Sequence, residues 1–517
     1  MNPSGPTGRL FRRKSIESLQ HDGEHDDLKR VLGPVQLVLL GVGGIVGSGV
    51  YVMTGAAAAQ FAGPAVLLSF GLAGLASILI AFCYAELSST LPASGAAYSY
   101  AYVTVGEALA WAVGWLLLLD FSLAGASLAV GWSAYLVSLG HSFGLMIPAV
   151  IAQPTFHASA ASGAISGAFS LNLVAVLAYA GVILILAAGV SESTKVNAAL
   201  VVIKVSILLV FVVVGGGAVR PSNWSPFIPA NEGGFSYGWP GVARGASMLF
   251  FAYLGFQIVS NAASETRNPQ RDLPRGILGS IGICTVIYLL VGAVMTGLVP
   301  FRELGVSDAL ARAADRIGHP QLAVLIKMGA LVGISSVLLV NTYGQSRVAF
   351  AISKDGLLPA FFSRLHPKHR TPYLGIALLG GLSAAMAATL PLSLLTDMVS
   401  LGVALCFSIV AISVMWLRST RPDLERPFRV PLGGVWVGKV WIGVAPVAAI
   451  IMCWAMMIPV VLDLAVKARN GDSFPAVFLS AYFVAGVVIY LGYGRRRSRL
   501  GRHATPAEVL HASGGLP

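Results

Sequence analysis

Charge is what this chain has least of. Lys, Arg, Asp and Glu make up 11% of its 517 residues, against 56% hydrophobic, and the mean hydropathy is +0.78. That excludes an ordinary soluble domain, in which about a quarter of the residues are charged. Cysteine is nearly absent too. Cys83, Cys284, Cys406 and Cys453 each lie inside an apolar run and form no CxxC pair. They read as small buried hydrophobes, neither disulfides nor metal ligands. The nine histidines are scattered through tails and loops, with no HExxH and no Cys/His cluster, so no metal site is expected. No nucleophile–base constellation stands out either, which argues against an enzyme, and no cofactor is expected. The polar segments are too short for an ATPase, kinase or receptor module. The N-terminus is polar and charged up to Arg30, so no cleavable signal peptide is expected.

The net charge is +12. A nucleic-acid partner would call for basic patches interleaved with aromatics on a soluble fold. Here the basic residues fall in tails and short loops between apolar blocks, and the partner they imply is membrane lipid. A block of about 20 apolar residues spans the hydrocarbon core as a helix. Twelve such blocks lie near residues 32–58, 64–91, 104–139, 171–190, 196–219, 240–262, 275–300, 322–352, 373–390, 394–418, 440–462 and 475–494. The expectation is an all-α polytopic membrane protein of about twelve transmembrane helices, with both termini on one side. Most Lys and Arg fall in the tails and alternate loops, in groups such as Arg12-Arg13-Lys14, 418–429 and 495–499. The loop 140–170, on the other side, has none. That asymmetry places both termini in the cytoplasm, for a protein of the inner or plasma membrane. The layout is a tail over 1–31, a ten-helix core over 32–418, a cytoplasmic loop over 419–439, two further helices over 440–494 and a tail over 495–517.

Block 1 holds GVGGIVGSGVY, Gly41 to Tyr51, with five glycines in eleven positions. Glycine in a helix costs about 1 kcal/mol relative to alanine. A phosphate loop is excluded: after Gly41 and Gly43 the next glycine of the pattern comes one residue late, and no Walker lysine follows. Close helix packing through Gly43-xxx-Gly47 explains two of the glycines. A broken helix explains all five and Ser48 as well. Unwinding frees backbone N–H and C=O groups, which membrane depth tolerates only around a cavity or protein interior. Amides near Ser48 and Gly49 then suit a carboxylate, and the carbonyls before them suit an ammonium or cation. The two poles fit an amino acid. A second break is expected in block 6, in MLFFAYLGFQIVSNAASE, where Gly255 sits among aromatics with Gln257, Ser260 and Asn261 following.

GGIVGSGVYVMTG resembles the first-helix signature of the amino acid–polyamine–organocation superfamily, and its bacterial cationic amino acid transporter-like branch above all. The blocks AGPAVLLSF, CYAELSSTLPASGAAYSYAYVTVGE, FFAYLGFQIVSNAASETRNPQRDLPRGI, GQSRVAFAISKDGLLP and RPDLERPFRVP follow in the order of that branch. The resemblance implies a LeuT-type core of five plus five inverted-repeat helices, with the first and sixth broken. It also implies that Ile45, Ser48 and Gly49 contact the substrate's amine and carboxylate. Phe251, Ala252 and Leu254 would cap the site and bind the amine, Phe251 acting as a gate.

Ionisable residues inside spans are functional candidates by default. Lys204 interrupts VNAALVVIKVSILLVFVVV. It is either a snorkelling lysine or an interior ammonium facing the break. The resemblance favours the second, since sodium-independent members carry a lysine where sodium-coupled relatives bind an ion. Ser335 and Ser336 match positions near that ion site. Asp120, in GWLLLLDFSLAG, is either a structural partner for a buried group or a reader of the substrate side chain. Glu86 and Glu265 are expected in ion pairs beside the basic loops. Two departures from the branch stand out: Gln257, a candidate reader of the substrate side chain where many relatives have aspartate, and Asn341-Thr342 at positions usually apolar. The resulting expectation is a sodium-independent, proton-coupled amino acid permease working by alternating access. Its partners would be the amino acid, the proton and lipid, with room left for a small accessory membrane subunit. A polyamine or organic-cation carrier and a non-transporting amino acid sensor are the alternatives.

Overall fold

A computed structural model describes residues 13–14, 32–92, 96–158, 165–167, 169–188, 194–306, 308–316, 318, 320–367, 369, 371–469 and 474–498. Most of both expected tails, and His21, His25, His319, His503 and His511, lie outside these residues.

Runs of Leu, Val, Ala and Ile without a polar face give helices that are apolar all round, the pattern of segments buried in protein or lipid. Among the described residues, nine helices are long and apolar enough to cross a membrane. Three shorter apolar helices, Pro34–Ile45, Leu173–Ala187 and Tyr373–Thr389, accompany them. One of the nine is the continuous run Gly49–Thr90, divided at Gly63 (φ 60°) and Pro64. With that division, every expected apolar block contains a helix.

Two boundaries differ from expectation. Block 3 begins at Glu107, because Gly106 (φ 114°) separates it from an independent helix, Ala96–Thr104. Block 11 begins at Val444, and 440–443 belongs instead to a β-hairpin. Among the described residues, strand is otherwise limited to short two-stranded sheets. The pair β1 (Phe156–Ala158) and β2 (Ile165–Gly167) and the pair β3 (Gly434–Val437) and β4 (Val440–Gly443) are both antiparallel.

Burial sorts the helices. The apolar window of Glu107–Ser142 is 94% buried, so block 3 is central; that of Phe474–Arg497 is 17% buried, so block 12 lies at the rim. Block 3 packs on blocks 8 (Pro320–Lys354) and 10 (Leu392–Thr420), while block 7 (Pro269–Leu298) packs on blocks 1 and 2.

Both expected breaks are present. In block 1 the α-helix Pro34–Ile45 ends where Val46 turns extended (ψ 91°), and helix resumes as a π-turn at Gly49–Met53. In block 6 the α-helix Gly238–Phe250 tightens into a 3₁₀ turn, Phe251–Tyr253. Leu254 is extended (ψ 143°), Gly255 has φ 122°, and a short helix follows at Phe256–Asn261. The two broken blocks run antiparallel and are tied at both ends. Leu32 N–H donates to Glu265 O (3.0 Å) and Arg267 N–H to Leu32 O (2.9 Å). At the far end Tyr237 N–H donates to Phe61 O (2.8 Å) and its hydroxyl to Ala59 O (2.6 Å).

Candidate transport site

The glycines serve both breakage and close packing. A Cβ at Gly255 would lie 2.4 Å from the carbonyl carbon of Gly44, and one at Gly49 would lie 2.7 Å from the Cα of Ala252. Any side chain there would drive the two unwound segments apart. Gly41 is a packing residue, its would-be Cβ 2.4 Å from Ser280 Oγ.

Where the breaks meet lies a cavity walled by blocks 1, 3, 6 and 8. Ile45, Ser48, Gly49, Asp120, Phe251, Ala252, Leu254 and Gln257 all line it, so the structure brings together the eight residues predicted for substrate. Three of them present buried polar atoms with no hydrogen-bond partner: Ser48 Oγ, both carboxylate oxygens of Asp120, and Gln257 Oε1. Buried polar groups are nearly always satisfied, so unpaired ones on residues that line a cavity point to a ligand or water there, although the Asp120 carboxylate itself lies against Gly402 of block 10. Asp120 fits only because residue 402 is glycine; a Cβ there would meet Asp120 Oδ1 at 1.9 Å.

Lys204 is fully buried and does not snorkel. Its ammonium donates to Gly43 O (2.6 Å) and Val46 O (3.0 Å), with Ser336 Oγ at 3.4 Å. These carbonyls sit where the chain leaves the helix, so the usual i+4 donors are lost to them. Ser335 is not part of this cluster; its Oγ accepts from Trp132 Nε1 at 2.9 Å.

Sequence reasoning missed several members of the site. Phe121, Ala124 and Leu128 fall on the Asp120 face of block 3 at helical spacing, a signal that was available. Val337 and Ile258 complete the apolar wall. Tyr288 carried no signal at all. Its hydroxyl lies 2.8 Å from Ile45 O and 2.9 Å from Ala252 O, one carbonyl from each break. It therefore competes with any substrate amine for these carbonyls, each of which keeps a second lone pair. Asn341, also on the cavity wall, donates from Nδ2 to Phe121 O (2.8 Å), and Gln345 donates to Ser122 Oγ (2.6 Å). These two amides fasten block 8 to block 3.

Away from the cavity, Glu86 forms the expected ion pair. Its carboxylate accepts from Arg418 Nε (2.7 Å) and Nη2 and from the amide of Val430 (2.7 Å). A second charged cluster was not anticipated. Arg244 in block 6 is 1% exposed. It reaches Asp397 of block 10 at 2.6 Å and Asp463 of block 11 at 3.3 Å, over the ring of Phe61.

Discontinuous helices that meet at a buried cavity, in a chain of membrane-spanning apolar helices, are the construction of a secondary transporter. The profile of the family described as amino acid permease matches residues 32–488, and the chain belongs to that family; it is a multi-pass membrane permease, not an enzyme. It is 39% identical to a methylthioribose transporter of Bacillus subtilis (strain 168), over 95% of this chain and 99% of the other. It is 38% identical, with the same coverage, to a branched-chain amino acid permease of that organism. Against a vacuolar cationic amino acid transporter of Arabidopsis thaliana it is 36% identical, over 80% of this chain and 68% of the other.

Proposed function

We propose that this permease carries an α-amino acid across the cell membrane by alternating access, independently of sodium and coupled to protons. The observation behind this reading is the meeting of both breaks at one cavity with Lys204 bound to carbonyls of the first. The substrate carboxylate sits at the amides opening the second half of block 1, at Ser48 and Gly49. Its amine sits at the carbonyls of Ile45, Phe251 and Ala252, and its side chain extends toward Asp120, Gln257 and Asn341. Phe251 closes the site. Twelve spans, a five-plus-five inverted-repeat core over 32–418, two added helices over 440–494 and cytoplasmic termini complete the proposal. Support comes from the equivalent positions of the broken blocks, 1 and 6, and from the asymmetry of Lys and Arg.

Uptake into proteoliposomes tests it. A labelled amino acid should accumulate under an inward proton gradient in sodium-free buffer; no uptake of any amino acid would refute the reading. The unpaired carboxylate of Asp120 favours one rival, a carrier of polyamines or other organic cations. A competition panel of amino acids, polyamines and methylthioribose separates these substrates.

Gln257 is expected to tune charge preference. An added carboxylate there would strengthen the attraction for a cationic side chain in a low-dielectric cavity. Gln257→Asp should raise competition by Arg and Lys about tenfold relative to neutral amino acids, the equivalent of ~1.4 kcal/mol. An unchanged ranking would mean that position 257 does not read the side chain.

A further inference from the structure

The β3–β4 hairpin has two unlike faces. Its register pairs Trp436 with Trp441, Val435 with Ile442 and Val437 with Val440. Side chains alternate along a strand, so the tryptophans share one face and the four β-branched residues the other. The tryptophan face is fastened to the protein. Trp441 is 6% exposed, its amide donates to Ser419 Oγ (2.8 Å), and the Arg418 guanidinium lies 4.0 Å above its ring. The other face is largely bare: Val435, Val437, Val440 and Ile442 are 66%, 60%, 53% and 39% exposed. A bare sheet face made only of Val and Ile is an aggregation hazard in water.

We propose that this face lies in the lipid of the adjoining leaflet, as an interfacial foot. Three observations choose lipid over protein. The hairpin runs directly into block 11, whose exposed Val444, Ile451, Trp454 and Ile458 continue the same apolar surface. From Arg426 to Leu462 the only charged residues are Arg426, Arg429 and Lys439, all basic, which suits anionic headgroups. Trp436, 53% exposed at the hairpin's rim, is the residue type enriched at that depth. Open strand edges do not occur in the hydrocarbon core. The hairpin therefore lies flat, its face down and its edges among hydrated headgroups, with Lys439 at the tip. Through Trp441 and Arg418 it connects to Glu86, so the foot anchors the pair that holds blocks 2 and 10 together.

The test is site-directed spin labelling of the full chain in phosphatidylcholine–phosphatidylglycerol proteoliposomes. The four native cysteines are buried and leave an introduced one selectively reactive. The label on Val437→Cys should be accessible to oxygen and protected from a water-soluble nickel chelate, while that on Lys439→Cys should meet the chelate. Ile442→Cys carries the same expectation and stands in if the first variant fails to reconstitute. Chelate access at the apolar face would overturn the proposal. So would a label shielded from both reagents, which would instead assign the face to a second copy or another protein.

Discussion

Lys204→Met is expected to fold, to reach the membrane and to lose uphill uptake driven by a proton gradient, retaining at most exchange. The ammonium holds Gly43 O and Val46 O at 2.6 and 3.0 Å, much as a bound metal cation would gather carbonyls around itself. It thereby ties block 5 to the first break, beside the cavity. A neutral amine would give up the charge-assisted part of those bonds, which are roughly twice as strong as neutral ones. The proton state of one residue then biases the balance between inward- and outward-open forms, as any differentially binding ligand does. Methionine keeps length and volume but donates nothing. Two carbonyls are left unsatisfied, at about 1–3 kcal/mol each, partly offset because a buried charge is also removed. The measurement is uptake with and without an inward proton gradient, each with and without sodium. If the variant keeps the parent's pH dependence, or the parent requires sodium, Lys204 is not the coupling group.

How much of this was legible in the sequence depended on how local each signal was. The helices were legible because apolar runs of spanning length have few other solutions. The first break was legible because a glycine cluster inside such a run contradicts its surroundings, and the second because Gly255 and the polar residues after it interrupt block 6. Lys204 was legible as a lone charge two turns into its block. What the sequence hid has physical causes as well. Arg244 drew no notice because it sits close to the end of its block, but the structure buries it. Its partners are 153 and 219 residues away, and no local pattern joins residues so far apart. Tyr288 was hidden for a similar reason. A tyrosine in an apolar helix is ordinary, and only the arrival of two unwound carbonyls beside it gives its hydroxyl a task.

Asp397→Leu is expected to destabilise the protein by about 3 kcal/mol, near the lower end of what removing one partner from a buried ion pair costs. The lower end applies because Asp463 remains 3.3 Å from the guanidinium. Arg244→Met should cost more, since it takes the guanidinium away from both carboxylates at once. Arg244→Met/Asp397→Leu/Asp463→Leu should recover most of the loss, because well-packed apolar residues often replace buried ions at no net cost. The three residues join blocks 6, 10 and 11, and Ser400 Oγ adds a bond to Ser247 O (3.1 Å) between the first two. Arg244 lies two turns before Phe251, so the cluster holds the half of block 6 that carries the proposed gate. The triple variant thus separates stability from gating. If the cluster latches that half-helix, the repaired protein regains its melting temperature but not the parent's transport rate. If the single variants melt with the parent, the cluster contributes nothing to the fold. If the triple variant regains both stability and rate, the cluster is structural and the gate is held elsewhere.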